Sequence, residues 1–259
     1  MTIKDDDLVI KDDDLVYCSY YYLETMRVGD MVVHLRSIPS LGEYSIPEVG
    51  GRGGDRMLYE SFFTGNEISK YVLKLPPKSI ILDAGSHIGL YMLRVIKERP
   101  DLKFVCIEPE PFNYGMLVKN IMSNNLYDNV IPLQVAISTK DELLKLQNCG
   151  NTGAWTAKRP GFDMVGYLEC YATNIETILK ASGVSHFDYI KMDIEDTELE
   201  VLESFSDDIW DSLMGIDLEL HDPTKHDVVE SMANKHGFKM SKIIETVNRH
   251  NIISDRFVG

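Results

Sequence analysis

The chain has 259 residues, enough for one large α/β domain with its own core, and 44% of them are hydrophobic. A formal charge of −15 argues against binding through nucleic-acid phosphates or an anionic membrane surface, and no apolar run is long enough to span a bilayer. The four cysteines form no CxxC pair and the first residues are acidic, unlike a signal peptide, so we expect a reduced, cytoplasmic protein.

Residues 1–58 predict an N-terminal extension. Residues 3–9 are repeated residue for residue at 10–16, and each copy carries three consecutive aspartates. These copies lack the glycine and the closing glutamate of a calcium loop, so we interpret them as a solvated edge and not as a metal site. Residues 17–35 are strand-like, and the glycine-rich stretch 38–56 is typical of a linker or a lid.

The remainder, residues 59–259, alternates strand and helix patterns. An amphipathic pattern predicts a helix over 57–73. Strands are then predicted at 80–83, 103–107, 130–136, 187–193 and 213–220, and helices at 89–98, 111–123, 174–181, 196–205 and 224–236. Residues 143–173 predict an antiparallel insertion, and strand-like runs at 238–244 and 251–258 indicate one antiparallel edge. Repeated strand–helix units predict an α/β fold with a mostly parallel sheet and helices on both of its faces.

A glycine turn after the first of these strands predicts a ligand site. Asp83 ends the strand, and Gly85 and Gly89 frame the turn. A dinucleotide site needs a glycine where His87 stands, because a pyrophosphate must approach bare backbone there. A smaller group, such as an amino-acid carboxylate, still fits at the following helix N-terminus with His87 beside it. Glu108 lies 23 residues after Gly85, near the roughly 20 typical of a ribose-binding acid, which indicates S-adenosylmethionine.

Two later strands end in charged residues. The first places Lys191, Asp193 and Glu195 on one side of an extended chain, and the second places Asp217, Glu219 and His221 on one side. Acids in a central parallel strand are costly unless they lie at the carboxyl edge, where open α/β sheets bind ligands. We therefore expect Asp193, Glu195, Glu219 and His221 to converge near the glycine turn.

With these residues in place, the chain resembles a known family. The stretches 81–89, 108–111, 135–137 and 190–198, together with Asn120 and Asn124, resemble the FkbM-type methyltransferases, which are class I enzymes dependent on S-adenosylmethionine. The resemblance implies a Rossmann-like seven-stranded sheet with a reversed last strand. It also implies methyl transfer, usually to a hydroxyl oxygen of a small molecule such as a sugar or a natural-product metabolite.

The resemblance also implies roles for individual positions. Asp83, Gly85 and Gly89 would shape the methionine pocket, Glu108 would take the ribose hydroxyls, Val135 and Ala136 would lie by the adenine, and Asp193 would sit at the cofactor–substrate junction. The chain departs from the family in two places. Ser86-His87 stands where Ala-Asn is usual, and Asp196-Thr197 stands where Gly-Ala is usual. Asp196 favours a helix N-cap by residue type, and it adds negative charge beside the acceptor.

A hydroxyl acceptor must lose its proton during methyl transfer. His221 is the best general base by residue type, followed by Asp193 and Glu195. Alternatively, Asp193, Glu219 and His221 bind a divalent cation that lowers the pKa of the hydroxyl.

Further alternatives stay open at this point. Trp155, Lys158 and Arg159 in the insertion, with Arg52 and Arg56 in the N-terminal loop, either clamp the acceptor or belong to a solvated surface. A nicotinamide-dependent oxidoreductase and a non-catalytic S-adenosylmethionine-binding protein are the competing functions. The sequence does not identify the acceptor or the oligomeric state.

Overall fold

The computed structural model describes residues 22–37, 54–64, 68–148, 155–156, 167–244 and 249–254. The strands are β1 (Tyr22–Val28), β2 (Met31–Ser37), β3 (Ile80–Ala84), β4 (Lys103–Ile107), β5 (Val130–Leu133), β6 (Ala136–Ile137), β7 (Glu142–Asn148), β8 (Trp155–Thr156), β9 (Tyr167–Thr173), β10 (Tyr189–Met192), β11 (Gly215–Glu219), β12 (Phe238–Ile244) and β13 (Arg249–Ser254). The helices are α1 (Gly54–Thr64), α2 (Leu90–Glu98), α3 (Pro111–Ser123), α4 (Ile175–Ser182), α5 (Glu198–Glu203), α6 (Asp207–Ser212) and α7 (His226–Lys235). Among these helices none has the length and apolar character needed to cross a membrane.

A seven-stranded sheet organises the described residues. Its order is β12-β13-β11-β10-β3-β4-β5, and β5, β4, β3, β10 and β11 are parallel to one another. The predicted α/β fold with a mostly parallel seven-stranded sheet is therefore confirmed. The reversed strand is β13, but it does not form the edge: it inserts between β11 and β12 and pairs antiparallel with both. The predicted reversed last strand and the antiparallel pairing at one edge of the sheet are therefore confirmed.

Successive side chains of the buried strands point to opposite faces of the sheet and pack in two separate hydrophobic cores. On β3, Ile81 belongs to the apolar cluster shared with α1, α2 and α3, and Leu82 belongs to the cluster shared with α4 to α7. Both side chains are fully buried, as expected for a strand covered on both faces. The parallel strands therefore end together at one edge, where the loops that follow β3, β4, β10 and β11 meet.

The strands β1 and β2 form a hairpin that packs on α3 through two asparagine side chains one helical turn apart. Asn124 accepts from the Val32 N–H at 2.7 Å and donates to the Val32 carbonyl at 2.6 Å. Asn120 accepts from the His34 N–H at 2.7 Å and donates to the His34 carbonyl at 3.2 Å. The two amides thus satisfy alternate residues of an edge strand that would otherwise lack partners on that side.

Two predicted elements differ in the structure. The helix expected over 57–73 begins at Gly54 and ends at Thr64, and a short 3-10 turn follows at Val72–Lys74. The predicted helix follows the apolar pattern, which continues past Gly65-Asn66, although this pair favours helix termination. The strand expected over 130–136 ends at Leu133, and Ala136–Ile137 joins a different, four-stranded sheet of order β6-β9-β7-β8.

Candidate functional site

The loop after β3 is a tight turn fixed between the ends of two neighbouring strands. Gly85, His87 and Gly89 all have positive φ, of 75°, 51° and 85°. The N–H groups of Gly85 and Ser86 donate to the Ile107 carbonyl at 3.1 and 3.0 Å. A Cβ at Gly85 would overlap the carbonyl oxygen of Asp193, far inside van der Waals contact. Glycine at position 85 is therefore required both by the backbone conformation and by the close approach of the β10 loop.

Glu108 lies directly after β4 and receives three hydrogen bonds. Its Oε1 accepts from the Glu110 N–H at 3.0 Å and from Asn113 Nδ2 at 3.2 Å, whereas its Oε2 accepts from the His87 N–H at 2.9 Å. Burial raises the pKa of Glu108 to about 7, although these hydrogen bonds oppose the rise. Since each carboxylate oxygen can accept about two hydrogen bonds, Oε2 retains one site for a further donor.

An elongated cleft runs along the carboxyl ends of the strands. Its empty space, counted together with the solvent at its open side, is about 570 Å³. Its wall includes Gly85, Glu108, Val135, Ala136, Asp193 and Glu195, and the side chains of Leu144 and Leu146 from the insertion also line it. The structure therefore brings most of the predicted cofactor residues into one cleft, with strand β7 of the insertion as an apolar wall.

Asp83 and Lys191 lie side by side beneath the turn, in register on β3 and β10. Asp83 is fully buried, and within the described part of the chain neither of its carboxylate oxygens accepts a hydrogen bond. Lys191 Nζ is 3.6 Å from Asp83 Oδ1 and 3.6 Å from Asp193 Oδ2, and it donates to the Gly85 carbonyl at 2.7 Å. Burial raises the pKa of Asp83 while the Lys191 charge lowers it, with burial dominant.

The imidazole of His87 faces the N-terminal hairpin. Its Nε2 lies 3.0 Å from Arg36 Nη2 and 3.6 Å from Asp55 Oδ1. Burial lowers the pKa of His87 to about 4, so the ring is neutral at pH 7 and Nε2 accepts from the guanidinium. Among the described residues Nδ1 has no hydrogen-bond partner. The predicted contact between His87 and the cofactor therefore rests on this one remaining nitrogen.

Four carboxylates surround His221, and two of them, Asp193 and Glu195, also line the cleft. Glu198 Oε1 lies 2.8 Å from Nδ1, and Nε2 is 3.4 Å from Glu195, 3.7 Å from Asp193 and 3.9 Å from Glu219. Burial acts to lower the pKa of His221, but the hydrogen bond to Glu198 and the charges of Glu195 and Asp193 raise it to about 9. The predicted convergence of His221 with three strand-end acids is what the structure shows.

The same geometry brings together the predicted metal ligands. One potential ligand atom each from Asp193, Glu219 and His221 lies within 4.8 Å of the others. This set offers carboxylate oxygens and an imidazole, a donor combination that suits Mn²⁺, Fe²⁺ or Zn²⁺. Asp217, in contrast, lies deeper in the sheet, where it accepts hydrogen bonds from Tyr91 at 3.2 Å and Tyr189 at 2.7 Å.

The turn after β10 is held in an unusual conformation. Glu195 and Asp196 are both left-handed, with φ of 59° and 85°, although neither is glycine. The hydroxyl of Thr156 in β8 lies 2.8 Å from the Glu195 carbonyl and 3.3 Å from Asp196 Oδ2. The expected N-cap role of Asp196 was wrong, because α5 begins at Glu198 with Thr197 as its N-cap. The helix therefore begins two residues later than the predicted start at 196.

Sequence reasoning missed three contributors to this site. Glu198 resembles an ordinary acid in the first turn of a helix, yet it is buried and bonded to His221. Thr156 and Arg36 carry no motif signal either, since each acts through a contact remote in sequence. Part of the predicted acceptor clamp and the duplicated acidic segment cannot be placed: Arg52, Lys158, Arg159 and residues 3–16 lie outside the described residues, as do the side chains of Arg56 and Trp155.

The sheet order, the reversed β13 and the cleft at the strand ends define a class I methyltransferase architecture. Residues 83–240 match the profile of the methyltransferase FkbM domain, which covers more than half of the chain. The chain therefore belongs to the FkbM methyltransferase family, as its sequence predicted, and is a methyltransferase dependent on S-adenosylmethionine. This assignment removes the nicotinamide-dependent oxidoreductase from consideration.

The similarity extends to named relatives. Methyltransferase sdnD of Sordaria araneosa is 23% identical over 232 residues, covering 78% of this chain and 87% of that protein. The 31-O-demethyl-FK506 methyltransferase FkbM of Streptomyces tacrolimicus is 23% identical over 200 residues, covering 66% of this chain and 76% of that protein. The solved structure of M. capricolum TrmK with S-adenosyl-homocysteine aligns with a TM-score of 0.44 and 12% identity, over 73% of this chain and 68% of that one.

Proposed function

We propose that the protein transfers the methyl group of S-adenosylmethionine to a hydroxyl oxygen of a small molecule. The observation that carries the proposal is the Glu198–His221 pair. It directs Nε2 of an imidazole toward Asp193 and Glu195, two residues of the cleft wall. A hydroxyl group must lose its proton to a base of this kind, whereas the methyl group of the donor is already activated by its bond to the positive sulfur. The name of the Streptomyces relative, 31-O-demethyl-FK506 methyltransferase, describes methylation of an O-demethyl compound and supports the same reaction type.

We infer the position of the cofactor from residues of the cleft wall and from two buried groups near it that lack hydrogen-bond partners among the described residues. Glu108 Oε2 has room for one ribose hydroxyl, and Val135 and Ala136 lie on the wall where an adenine would stack. Asp83 and the Nδ1 atom of His87 have no hydrogen-bond partner among the described residues. An ammonium and a carboxylate, the two ends of an amino acid, are the groups that would satisfy them. These assignments fit S-adenosylmethionine, which carries a ribose and an amino-acid group but no pyrophosphate.

In this proposal the proton of the acceptor hydroxyl passes to His221 Nε2. Glu198 accepts from Nδ1, so it fixes the tautomer and leaves Nε2 facing the substrate. The acceptor oxygen forms a bond to the methyl carbon, the carbon–sulfur bond breaks, and its electrons remain on sulfur. Asp193 and Glu195 lie within 3.7 Å of Nε2 and stabilise the imidazolium that results.

A divalent cation at Asp193, Glu219 and His221 is the second candidate for activating the hydroxyl, favoured by the 4.8 Å clustering of their ligand atoms. The two proposals differ in their response to chelators. If EDTA abolishes activity and Mn²⁺ restores it, the cation activates the hydroxyl. If activity persists in EDTA, His221 acts as a free base.

Turnover tests the proposal as a whole. Formation of S-adenosylhomocysteine should be followed with a panel of glycosides and hydroxylated metabolites, and with matched amine acceptors. We expect hydroxyl acceptors to be methylated, and His221→Ala to lower kcat more than it weakens cofactor binding. Cofactor binding without turnover on any acceptor would favour a non-catalytic role, and methylation of the amines alone would contradict the assignment of the acceptor atom.

A further inference from the structure

The N-terminal hairpin and α1 contact the cofactor turn through one chain of buried polar groups. The Arg36 N–H and Nε donate to Asp55 Oδ2 at 2.8 and 3.1 Å, and Arg36 Nη2 donates to Asp55 Oδ1 at 3.1 Å. The same Nη2 donates to His87 Nε2 at 3.0 Å. Arg36 and Asp55 are both buried, so this pair is a fixed part of the structure and not a solvated surface contact.

His87 is the point where this chain reaches the cofactor site. Its backbone N–H donates to Glu108 Oε2, the oxygen that still has a free acceptor site. Its φ of 51° is unfavourable for a residue with a Cβ by roughly 1–2 kcal/mol, so the turn needs external contacts to keep that geometry. Arg36 supplies one such contact, and Asn120 supplies another by donating to the Ile88 carbonyl at 2.9 Å.

We propose that Asp55, Arg36 and His87 form a positioning chain through which the N-terminal hairpin and α1 hold Glu108 Oε2 in its cofactor-binding orientation. The described part of the N-terminal extension is then a component of the cofactor site, whereas residues 38–53 of the predicted linker or lid lie outside the described residues. Arg36 and Asp55 act through His87 and are positioning residues. The inference rests on the proposed ribose role of Glu108, and the experiment below separates the two.

The test measures the Kd of S-adenosylmethionine and S-adenosylhomocysteine by calorimetry, together with kcat and the KM for the cofactor. Arg36→Lys keeps a cation for Asp55, lacks the guanidinium fork whose Nη2 reaches His87, and leaves His87 and the turn untouched. Asp55→Asn keeps the shape of the partner of Arg36, removes its charge and leaves the turn untouched. Asn124→Ala is the matched control, because it loosens the same hairpin at Val32, away from His87.

We expect Arg36→Lys and Asp55→Asn to weaken cofactor binding by about five- to tenfold, with kcat at saturating cofactor within about twofold of wild type. The Asn124→Ala control should lower the melting temperature but change Kd by less than about twofold. The double variant of Arg36 and Asp55 should be no weaker than the weaker single variant, because both act through one link. A merely structural role would lower the melting temperature in all variants and leave Kd unchanged.

Glu108→Ala distinguishes failure of this inference from failure of the cofactor assignment. If Glu108→Ala leaves the affinity for S-adenosylmethionine unchanged, the ribose role itself is wrong. If Glu108→Ala weakens binding but Arg36→Lys does not, only the positioning chain is overturned. Should Asp55→Asn fail to fold because Arg36 loses its buried counter-ion, Arg36→Lys decides the question alone, since it keeps a cation beside Asp55.

Discussion

Replacing Glu198 with glutamine tests how the proton affinity of His221 is set. Glu198 is buried, and its Oε1 lies 2.8 Å from Nδ1 of the imidazole. Glutamine has the same shape and can still accept from Nδ1 through its carbonyl oxygen, so the tautomer of His221 is kept. What the substitution removes is the negative charge, which stabilises the imidazolium over the neutral ring.

The magnitude follows from the environment of the ring. A pKa of about 9 for His221 lies some 2.5 pKa units above its ordinary 6.5, equivalent to roughly 3 kcal/mol in favour of the imidazolium. A hydrogen bond to a charged partner is worth about 1–1.5 kcal/mol more than one to a neutral partner, which is about one pKa unit. The variant should therefore have a His221 pKa near ~8, and the neutral fraction at pH 7 should rise from about 1% to about 10%.

The assay is the pH dependence of kcat/KM from pH 6 to 10, measured in EDTA so that no divalent cation occupies the site. The imidazole is titrated separately by NMR. In wild type, kcat/KM should rise with pH toward the pKa of His221, because only the neutral ring accepts the hydroxyl proton. In Glu198→Gln this rise should occur about one pH unit lower. A rise that stays in place, or that moves to higher pH, would refute the proposed pairing of Glu198 with the base.

Three further predictions concern the cofactor turn. Glu108→Gln should weaken S-adenosylmethionine binding by about tenfold through loss of a charge-assisted hydrogen bond, and the rise in wild-type affinity as Glu108 ionises near pH 7 should disappear; a pH-independent wild-type Kd would count against it. Gly85→Ala should lower the free energy of unfolding by more than about 2 kcal/mol in denaturant titrations, because its Cβ overlaps the Asp193 carbonyl at a positive φ; an equally stable variant would contradict the close approach. The pKa of His87 is lowered on folding from 6.5 to about 4, so its contribution to stability is present above pH 6.5 and is lost as the pH falls toward 4. The stability difference between wild type and His87→Asn should therefore shift against wild type by up to roughly 3 kcal/mol over that interval. A constant difference would mean that folding does not shift the pKa of the ring.

The order of strands and helices could be predicted from the chain because it depends on local periodicity. Apolar runs such as 80–83 and 103–107 identify buried parallel strands, and the glycines at 85 and 89 identify the turn between strand and helix. The errors arose where local patterns compete with tertiary context. The run at 130–136, for example, has strand character throughout, but its last residues pair with β9 of the insertion and not with β4.

The partners of the site residues could not be read from the chain. The sequence predicts that His87 lies beside the ligand, but it does not indicate that Nε2 of the ring accepts from Arg36, a residue 51 positions earlier on a separate hairpin. No motif or spacing in the sequence links Glu198 to His221, 23 residues later, and only the tertiary fold brings their side chains together. Such contacts carry no periodic signal, because the distance along the chain between two contacting residues is set by the loops and elements that happen to separate them.

The sequence by itself determined that acids, glycines and a histidine would meet at the carboxyl edge of a parallel sheet, since residues that end parallel strands must lie at one edge. That was enough to predict the family and a cofactor without a pyrophosphate. Only the tertiary structure decided which nitrogen of His221 pairs with Glu198, which oxygen of Glu108 accepts from His87, and that Arg36 of the N-terminal hairpin contacts the His87 ring. Those properties depend on hydrogen-bond partners a few ångströms away in space, which the order of residues does not specify.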